Sequence, residues 1–414
     1  MSNLYCIRDL AITTLKGITP KYVDFSQVLV LNQKCIRNFN ICYEFAQYHD
    51  SNKSFPVNKV VRVGDILINS TGKGTAGRIA FVKELPSELT VIVDSHILIL
   101  RSIEFYTAGC LAYSLYNIEY LLQTFLDGST GQGEFDKQRL FNIFTALPLI
   151  EKRENTYKLL SYFDKKIELN NRINAELEAM AKLIYDYWFV QFEFPDVNGK
   201  PYKSSGGKMD YKHELNWEIP IDWKVGYCSE LFKFNPSLSI KKGKICPYID
   251  MNSLPTAGFM TSTPTQKSFS GGMKFQNGDV LLARITPCLE NGKTGLVSLL
   301  EKDDEIGFGS TEFIVLRGKN FDLRCFGSCL ARSEKFRKYA ISKMTGTSGR
   351  KRVNYTDLES YIIPIPDETL LRKFEDLLSP FFKIMTNNIK ENQILSDLRD
   401  WLLPMLMNGQ VIVK

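Results

Sequence analysis

Two stretches of the chain carry apolar residues at steps of three and four, the spacing that lines up one face of a helix. The first runs from about Glu151 to Phe192 through Leu160, Phe163, Ile167, Asn170, Asn174, Leu177, Ala181, Ile184 and Trp188. The second runs from about Asp367 to Met407 through Leu378, Phe381, Met385, Asn388, Asn392, Leu395, Arg399 and Leu402. Neither contains a glycine, and both predict long helices. Pro380 and Pro404 predict kinked or broken ends in the second. Arg399 interrupts its stripe, so a seam through Leu398 competes with one through Arg399. Paired asparagines inside a heptad seam fix register at a cost in stability, so each helix is expected to have the other as its partner. Ahead of each helix, short apolar runs predict strands: DILIN, RIAFV and HILIL in the first half, and DVLLA, GLVSL and EFIVLR in the second.

The halves repeat. GSTGQ at 128–132 is echoed by GTSGR at 346–350, an offset of 218 that also carries Leu140 to Leu358, LLS at 159–161 to LLS at 377–379, and Asn170 and Asn174 to Asn388 and Asn392. LNQ at 31–33 falls on IDM at 249–251 at the same offset. Between these points the register slips to 214, where GDILINSTGKGTAGRIAFV from Gly64 matches GDVLLARITPCLENGKTGLV from Gly278, so a loop has changed length. Internal repetition of this kind sets the architecture before any local motif does. It predicts an α+β chain with two similar α/β globular regions and two long antiparallel coiled-coil helices, related by a pseudo-two-fold axis: a dumbbell. Residues 194–209, FPDVNGKPYKSSGGKM, are rich in glycine, proline, lysine and serine and read as a linker between the halves.

The glycines of the first loop, Gly72, Gly74 and Gly77, have the G-x-G-x-x-G spacing of a dinucleotide site. That fingerprint needs a helix opening directly after it, and RIAFV reads as a strand, so the expectation is a hairpin loop. Its twin holds Gly292, Lys293 and Thr294, the end of a P-loop, but Pro287 stands where the first glycine belongs. Two near-misses at equivalent places point to one recurrent loop. The closest approach to an amino-methyltransferase motif, Asn235-Pro236-Ser237-Leu238, lacks the second proline and the aromatic and reads as a turn. Asp164 and Lys166 have the D-x-K spacing of a Mg²⁺ nuclease but lie inside the first helix, where a solvated face is expected. The chain has no credible active site of its own.

Composition adds little: 44% hydrophobic and 24% charged residues in 414 are those of an ordinary globular protein of two or three domains, and the net charge of +6 hints at a polyanionic partner. Nine cysteines without C-x-x-C spacing and three dispersed histidines make neither a disulfide framework nor a zinc site, and reduced thiols are expected. No stretch reaches the length of a membrane span, and the first residues lack a secretory pattern, so an intracellular protein is expected.

NNRINAELEAMAKLIYDYWFVQFEF at 170–194, ARITPCLENGKTG at 283–295 and TGTSGRKRVNYTDLESYIIPIP at 345–366 carry a family resemblance. In their order and within this duplicated plan, they resemble the specificity subunit of type I restriction-modification systems over essentially the whole chain. The resemblance implies a target recognition domain at 1–150, a first spacer helix at 151–193, the linker, a second recognition domain at 210–365, and a second spacer helix with the C-terminal tail at 366–414. Each domain would read half of an asymmetric bipartite target in double-stranded DNA, with the helices setting the spacer. Two methyltransferase subunits bringing S-adenosylmethionine would dock on the helices, and motor-nuclease subunits would bring ATP and Mg²⁺. The chain itself would bind no cofactor and would be a cytoplasmic, nucleoid-associated prokaryotic protein acting in DNA methylation and phage defence. Helix pairing and docking would fall to Phe163, Ile167, Asn170, Asn174, Leu177, Ile184, Trp188, Phe381, Met385, Asn388, Asn392, Leu395 and Leu402.

Phosphates are bound by cations, hydroxyls and loop amides, and base edges by the planar groups of arginine, asparagine and glutamine. The second domain offers Arg284, Asn291, Lys293, Thr347, Ser348, Arg350, Lys351 and Arg352. The first offers Asn69, Ser70, Thr71, Lys73, Arg78, Gln132, Lys137 and Arg139, although STGKGTAG departs there from the family-like form. Taken singly, each is as readily a solvated loop charge. Two further readings stand beside this one: a self-contained nucleotide-dependent methyltransferase or nuclease, and a coiled-coil scaffold that never reads DNA.

Overall fold

A computed structural model describes residues 3–10, 13–72, 74–102, 104–127, 134–347 and 349–413. The chain divides into two compact units, Met1–Lys165 with Leu395–Lys414, and Lys166–Ile394. Both predicted long helices are present, over Ile150–Tyr185, continued by a π-helical turn at Asp186–Val190, and over Glu368–Met407.

In the first unit, strands Thr13–Lys16, Ile97–Arg101, Ile66–Asn69 and Ile79–Phe81 form an antiparallel sheet in that spatial order. A second sheet orders Thr90–Val93, Val28–Leu31, Gln47–His49 and Tyr22–Val23, and its first pair is parallel. The second unit repeats the plan. Phe232–Phe234, Phe313–Gly318, Val280–Ala283 and Thr294–Leu296 form the antiparallel sheet, and Thr265–Ser268, Ile245–Ile249, Gly307–Gly309 and Met273–Phe275 form the mixed one, again with one parallel pair, Ile245–Ile249 beside Gly307–Gly309. Strands predicted from continuous apolar runs are buried on both faces, as Ile66–Asn69 and Val280–Ala283 show.

The recurrent loop itself differs by one residue between the halves. Asn69 N–H donates to Arg78 O across the first loop (3.0 Å), and Ala283 N–H to Lys293 O across the second (3.0 Å), so nine residues lie where there had been eight. The G-x-G-x-x-G stretch is a hairpin loop between two antiparallel strands, as the alternation after it predicts. Gly77 is required there: its φ is +82°, and a Cβ would lie 2.6 Å from the backbone nitrogen of Gln123.

Each unit's core takes residues from both helices. In the first, Tyr157 and Leu160 join Leu403, Leu406 and Met407 against the sheet. In the second, Ala181, Tyr185, Trp188 and Phe189 join Leu371, Phe374, Leu378, Phe382 and Met385. The pairing is antiparallel and runs through the asparagines. Asn170 Nδ2 donates to Asn392 Oδ1 (2.9 Å) and to Glu391 Oε2 (2.7 Å), Asn388 Nδ2 to Asn174 Oδ1 (2.8 Å), and Asn392 Nδ2 to Asn171 Oδ1 (2.9 Å). Leu177, Ile184 and Phe381 pack against the second core and Leu402 against the first, Trp188 and Met385 are buried, and Phe163, Ile167 and Leu395 are half-buried along the seam.

Two expectations need correction, those on the prolines and on Asp164. The second helix passes through both prolines without a break: Pro380 is exposed between the buried Leu378 and Phe382, and Pro404 lies in the last turn. The seam follows Arg399, whose side chain is 12% exposed, while Leu398 is 39% exposed. Asp164 is not on a solvated face: it accepts from Arg399 Nη1 (2.8 Å), Tyr113 Oη (2.5 Å) and Lys83 Nζ (3.3 Å). Lys166 instead pairs with Glu391 (3.2 Å). Residues 194–209 are ordered, because Phe194 stacks between Tyr202 and Trp223 (centroids 4.7 and 5.3 Å) and Asp196 accepts from the backbone of Asn198 and Lys200. The turn at Asn235 is as expected: its amide and side-chain carbonyl both bond the backbone of Val315. All nine cysteines are free.

Candidate nucleic-acid interface

The same backbone frame holds the loop cluster of each unit. In the first, Ser70 N–H donates to His96 O (2.8 Å) and Phe135 N–H to Ser70 O (3.0 Å). In the second, Arg284 N–H donates to Glu312 O (2.9 Å) and Val353 N–H to Arg284 O (3.0 Å). Ser70 therefore corresponds to Arg284, His96 to Glu312, and Phe135 to Val353. Beneath each frame lies one more shared device. Asp65 is held by Arg101 Nε and Nη2 (2.7 Å each) and Asp279 by Arg317 Nε and Nη2 (2.7 Å each). Each carboxylate also accepts the amide three residues before it, from Arg62 and Gln276, so each fixes the turn entering its central strand.

The second unit gathers most of its sequence-predicted residues. Thr286 N–H donates to Lys351 O (3.0 Å), and Arg352 bridges both Ile285 and Thr345, which brings ARITPC against GTSGRKR. Thr347, Arg350 and Lys351 are exposed on that turn, and Asn291 is exposed on the neighbouring loop. Lys293 is turned inward, its Nζ donating to Met251 O (2.7 Å). Arg332 fastens this loop from below with four bonds to the carbonyls of Pro255, Thr256, Gly292 and Thr294, and burial pushes its guanidinium down to about 10. Arg352 is engaged by Glu312 through Nε and Nη2 at 2.7–3.0 Å, and that guanidinium, with Arg284 beside it, holds the Glu312 carboxyl below its ordinary range.

In the first unit, Asn69 and Ser70 are buried. Asn69 Nδ2 donates to Gln33 O (3.1 Å), and the two residues shape the loop from beneath instead of lining its surface. Thr71 is half-exposed and is bonded by Gln33 Nε2 and by His96 Nδ1 (2.8 Å). Arg78 is half-buried near Glu119, Lys137 is half-buried, and Arg139 pairs with Asp136 (3.3 Å). Lys73, Gln132 and Ser348 lie outside the described residues. Gln33, His96 and Glu312 were not among the predicted residues. Carrying the repeat on to HILILR and EFIVLR would have placed His96 opposite Glu312.

The two loop clusters are thus alike in backbone frame and different in side chains. A family model described as the type I restriction modification DNA specificity domain matches the chain twice, over residues 26–179 and 220–396. The chain belongs to this family. It is 24% identical over 309 residues to the type I restriction enzyme MjaIX specificity subunit of Methanocaldococcus jannaschii, covering 72% of this chain and 66% of that relative. It is 26% identical to the EcoAI specificity subunit of Escherichia coli, covering 48% of this chain and 35% of the relative. With the HindI specificity subunit of Haemophilus influenzae, identity is 23% and coverage 85% and 88%. The crystal structure of a type I restriction-modification S subunit from M. genitalium shares the fold, with a TM-score of 0.57 at 14% identity over 98% of this chain and 96% of that one. Among the described residues, no helix is long and apolar enough to cross a membrane, and no group of three or more His, Cys, Asp or Glu side chains gathers as a metal would require.

Proposed function

We propose that this specificity-family chain is the non-catalytic DNA-reading subunit of a type I restriction-modification assembly, each unit reading one half of an asymmetric bipartite target in double-stranded DNA. The observation that carries the reading is the duplicated frame with divergent contents, Ser70 and His96 in one unit against Arg284 and Glu312 in the other. Equal frames would present their loops to a duplex in equal ways, and unequal side chains would select different bases. The long helices would set the spacer. Outside the seam they expose Tyr162, Leu183, Ile394 and Trp401, each more than 60% accessible, an apolar supply for two docking methyltransferase subunits. S-adenosylmethionine would be bound by those subunits, and ATP and Mg²⁺ by motor-nuclease subunits.

The test is methylation-sensitive sequencing of cells expressing this chain with its methyltransferase. The expected result is one methylated motif made of two different short sequences at a fixed gap. Methylation without such a motif, or a motif unaffected by deleting this chain, contradicts the reading and favours a coiled-coil scaffold.

A further inference from the structure

Arg352 and Arg350 stand two residues apart on the same turn, yet only one is held. Arg350 and Lys351 have no side-chain hydrogen bond among the described residues, whereas Arg352 gives its Nε and Nη2 edge to Glu312. Both partners are anchored by backbone. Arg352 exchanges two bonds with Thr345 (2.8 and 2.9 Å), and Glu312 opens the strand Phe313–Gly318 with its carbonyl taken by Arg284 N–H. Nη1 has no partner among the described residues, and the Arg352 side chain is 43% exposed. One edge of the fork is therefore spent on orientation while the end that carries Nη1 and the second N–H of Nη2 is left open.

Resting on the DNA-reading function proposed above, we propose that Arg352, oriented by Glu312, reads a guanine in the half-site of the second domain, and that Glu312 is a specificity-determining positioning residue. A guanidinium matches the O6 and N7 acceptors of guanine with two parallel bonds, and no other base presents that pair in the major groove. A freely rotating arginine loses side-chain freedom on binding. One already held by a carboxylate has lost it beforehand, so its preference for one base edge is sharper. Arg284, whose backbone N–H is bonded to the Glu312 carbonyl, adds a second positive charge to the cluster, which suits acceptors on the bound edge. Among the described residues, the first unit shows no such pair. His96 takes the place of Glu312 and is bonded through Nδ1 to Thr71, and the residue aligned with Arg352 at the 218 offset is Glu134. The guanine contact belongs to the second half-site alone.

The experiment uses the complete chain with its methyltransferase subunits and the target found by methylome sequencing, and measures binding to duplexes carrying every single-base change. In the wild type, one guanine of the second half-site should be discriminated by about tenfold or more. Glu312→Gln, which keeps shape but removes the charge, should cut that ratio severalfold at that base pair while the ratios across the first half-site hold. Arg352→Lys, which keeps charge but loses the fork, should erase it. Glu312→Asp should restore part of it. A Glu312→Gln profile identical to wild type, or one weakened equally at every position, overturns the proposal and leaves the general DNA-reading function standing. A wild-type complex with no base discrimination overturns both.

Discussion

Arg399 provides a quantitative test of how the helices are joined to the first unit. It sits in an otherwise apolar seam, 12% exposed, donating to Asp164, 9% exposed, with its guanidinium 5.6 Å from the centre of the Tyr116 ring. At the repeat-related place in the second unit, Ala181 and Phe382 are buried among apolar side chains, so one half has solved with packing what the other solves with charge. Replacing Arg399 by Met keeps most of the volume and strands the Asp164 carboxylate. Removing one partner of a buried ion pair costs about 3–5 kcal/mol. Asp164 keeps Tyr113 and Lys83, which lowers the expected loss to about 2–3 kcal/mol. For a unit of this size, that is a fall in Tm of about 4–12 °C. Differential scanning calorimetry or urea unfolding reads it, and the Asp164→Asn variant closes a double-mutant cycle that isolates the pair. A loss below about 0.5 kcal/mol, or no coupling in the cycle, would refute the claim that this pair locks the helices in the first unit.

Glu375 accepts the first amides of the helix Arg324–Arg332, from Cys325 and Phe326, and burial pushes its carboxyl up to about 7. Because the folded state holds this proton more tightly than the unfolded one, the second unit should lose stability as pH rises from about 4.5 to about 7, by at most about 3 kcal/mol, and then level off. Chemical unfolding across that range should show the slope in the wild type and a flatter profile for Glu375→Gln; parallel profiles contradict the assignment. A four-residue insertion beside Asn174, matched by one beside its partner Asn388, lengthens the pair by about 6 Å, against about 3.4 Å per base pair, so the methylated motif should keep its two sequences and widen its gap by one or two base pairs. A retained gap would show that the helices are not the ruler.

The repeat, the strands and the asparagine seam were legible because they rest on periodicity and identity along the chain. DILIN and DVLLA read as strands from their apolar runs, and both are buried on both faces. The contents of the loops were not legible in the same way. Asn69 and Ser70 look like exposed polar loop residues until Gln33 closes over Asn69, a contact 36 residues away in sequence. Asp164 and Arg399 read as a helix-face charge and a flaw in a stripe, and only their meeting across 235 residues makes them a buried pair. Pro380 was misread for the opposite reason: a local rule was applied to a helix whose neighbouring residues Leu378, Phe382 and Met385 are packed into the second core, and tertiary packing overrides the local preference. Side chains whose role depends on a distant partner are the ones that sequence pattern leaves undecided.

The central claim, two separate readers in one chain, is tested most directly by exchanging residues 210–365 for the corresponding domain of a relative and sequencing the methylome of cells that express the hybrid with the methyltransferase. The account predicts a motif in which one half-site is new and the other half-site and the gap are unchanged; a hybrid whose two half-sites change together, or whose motif stays that of the parent, would contradict it.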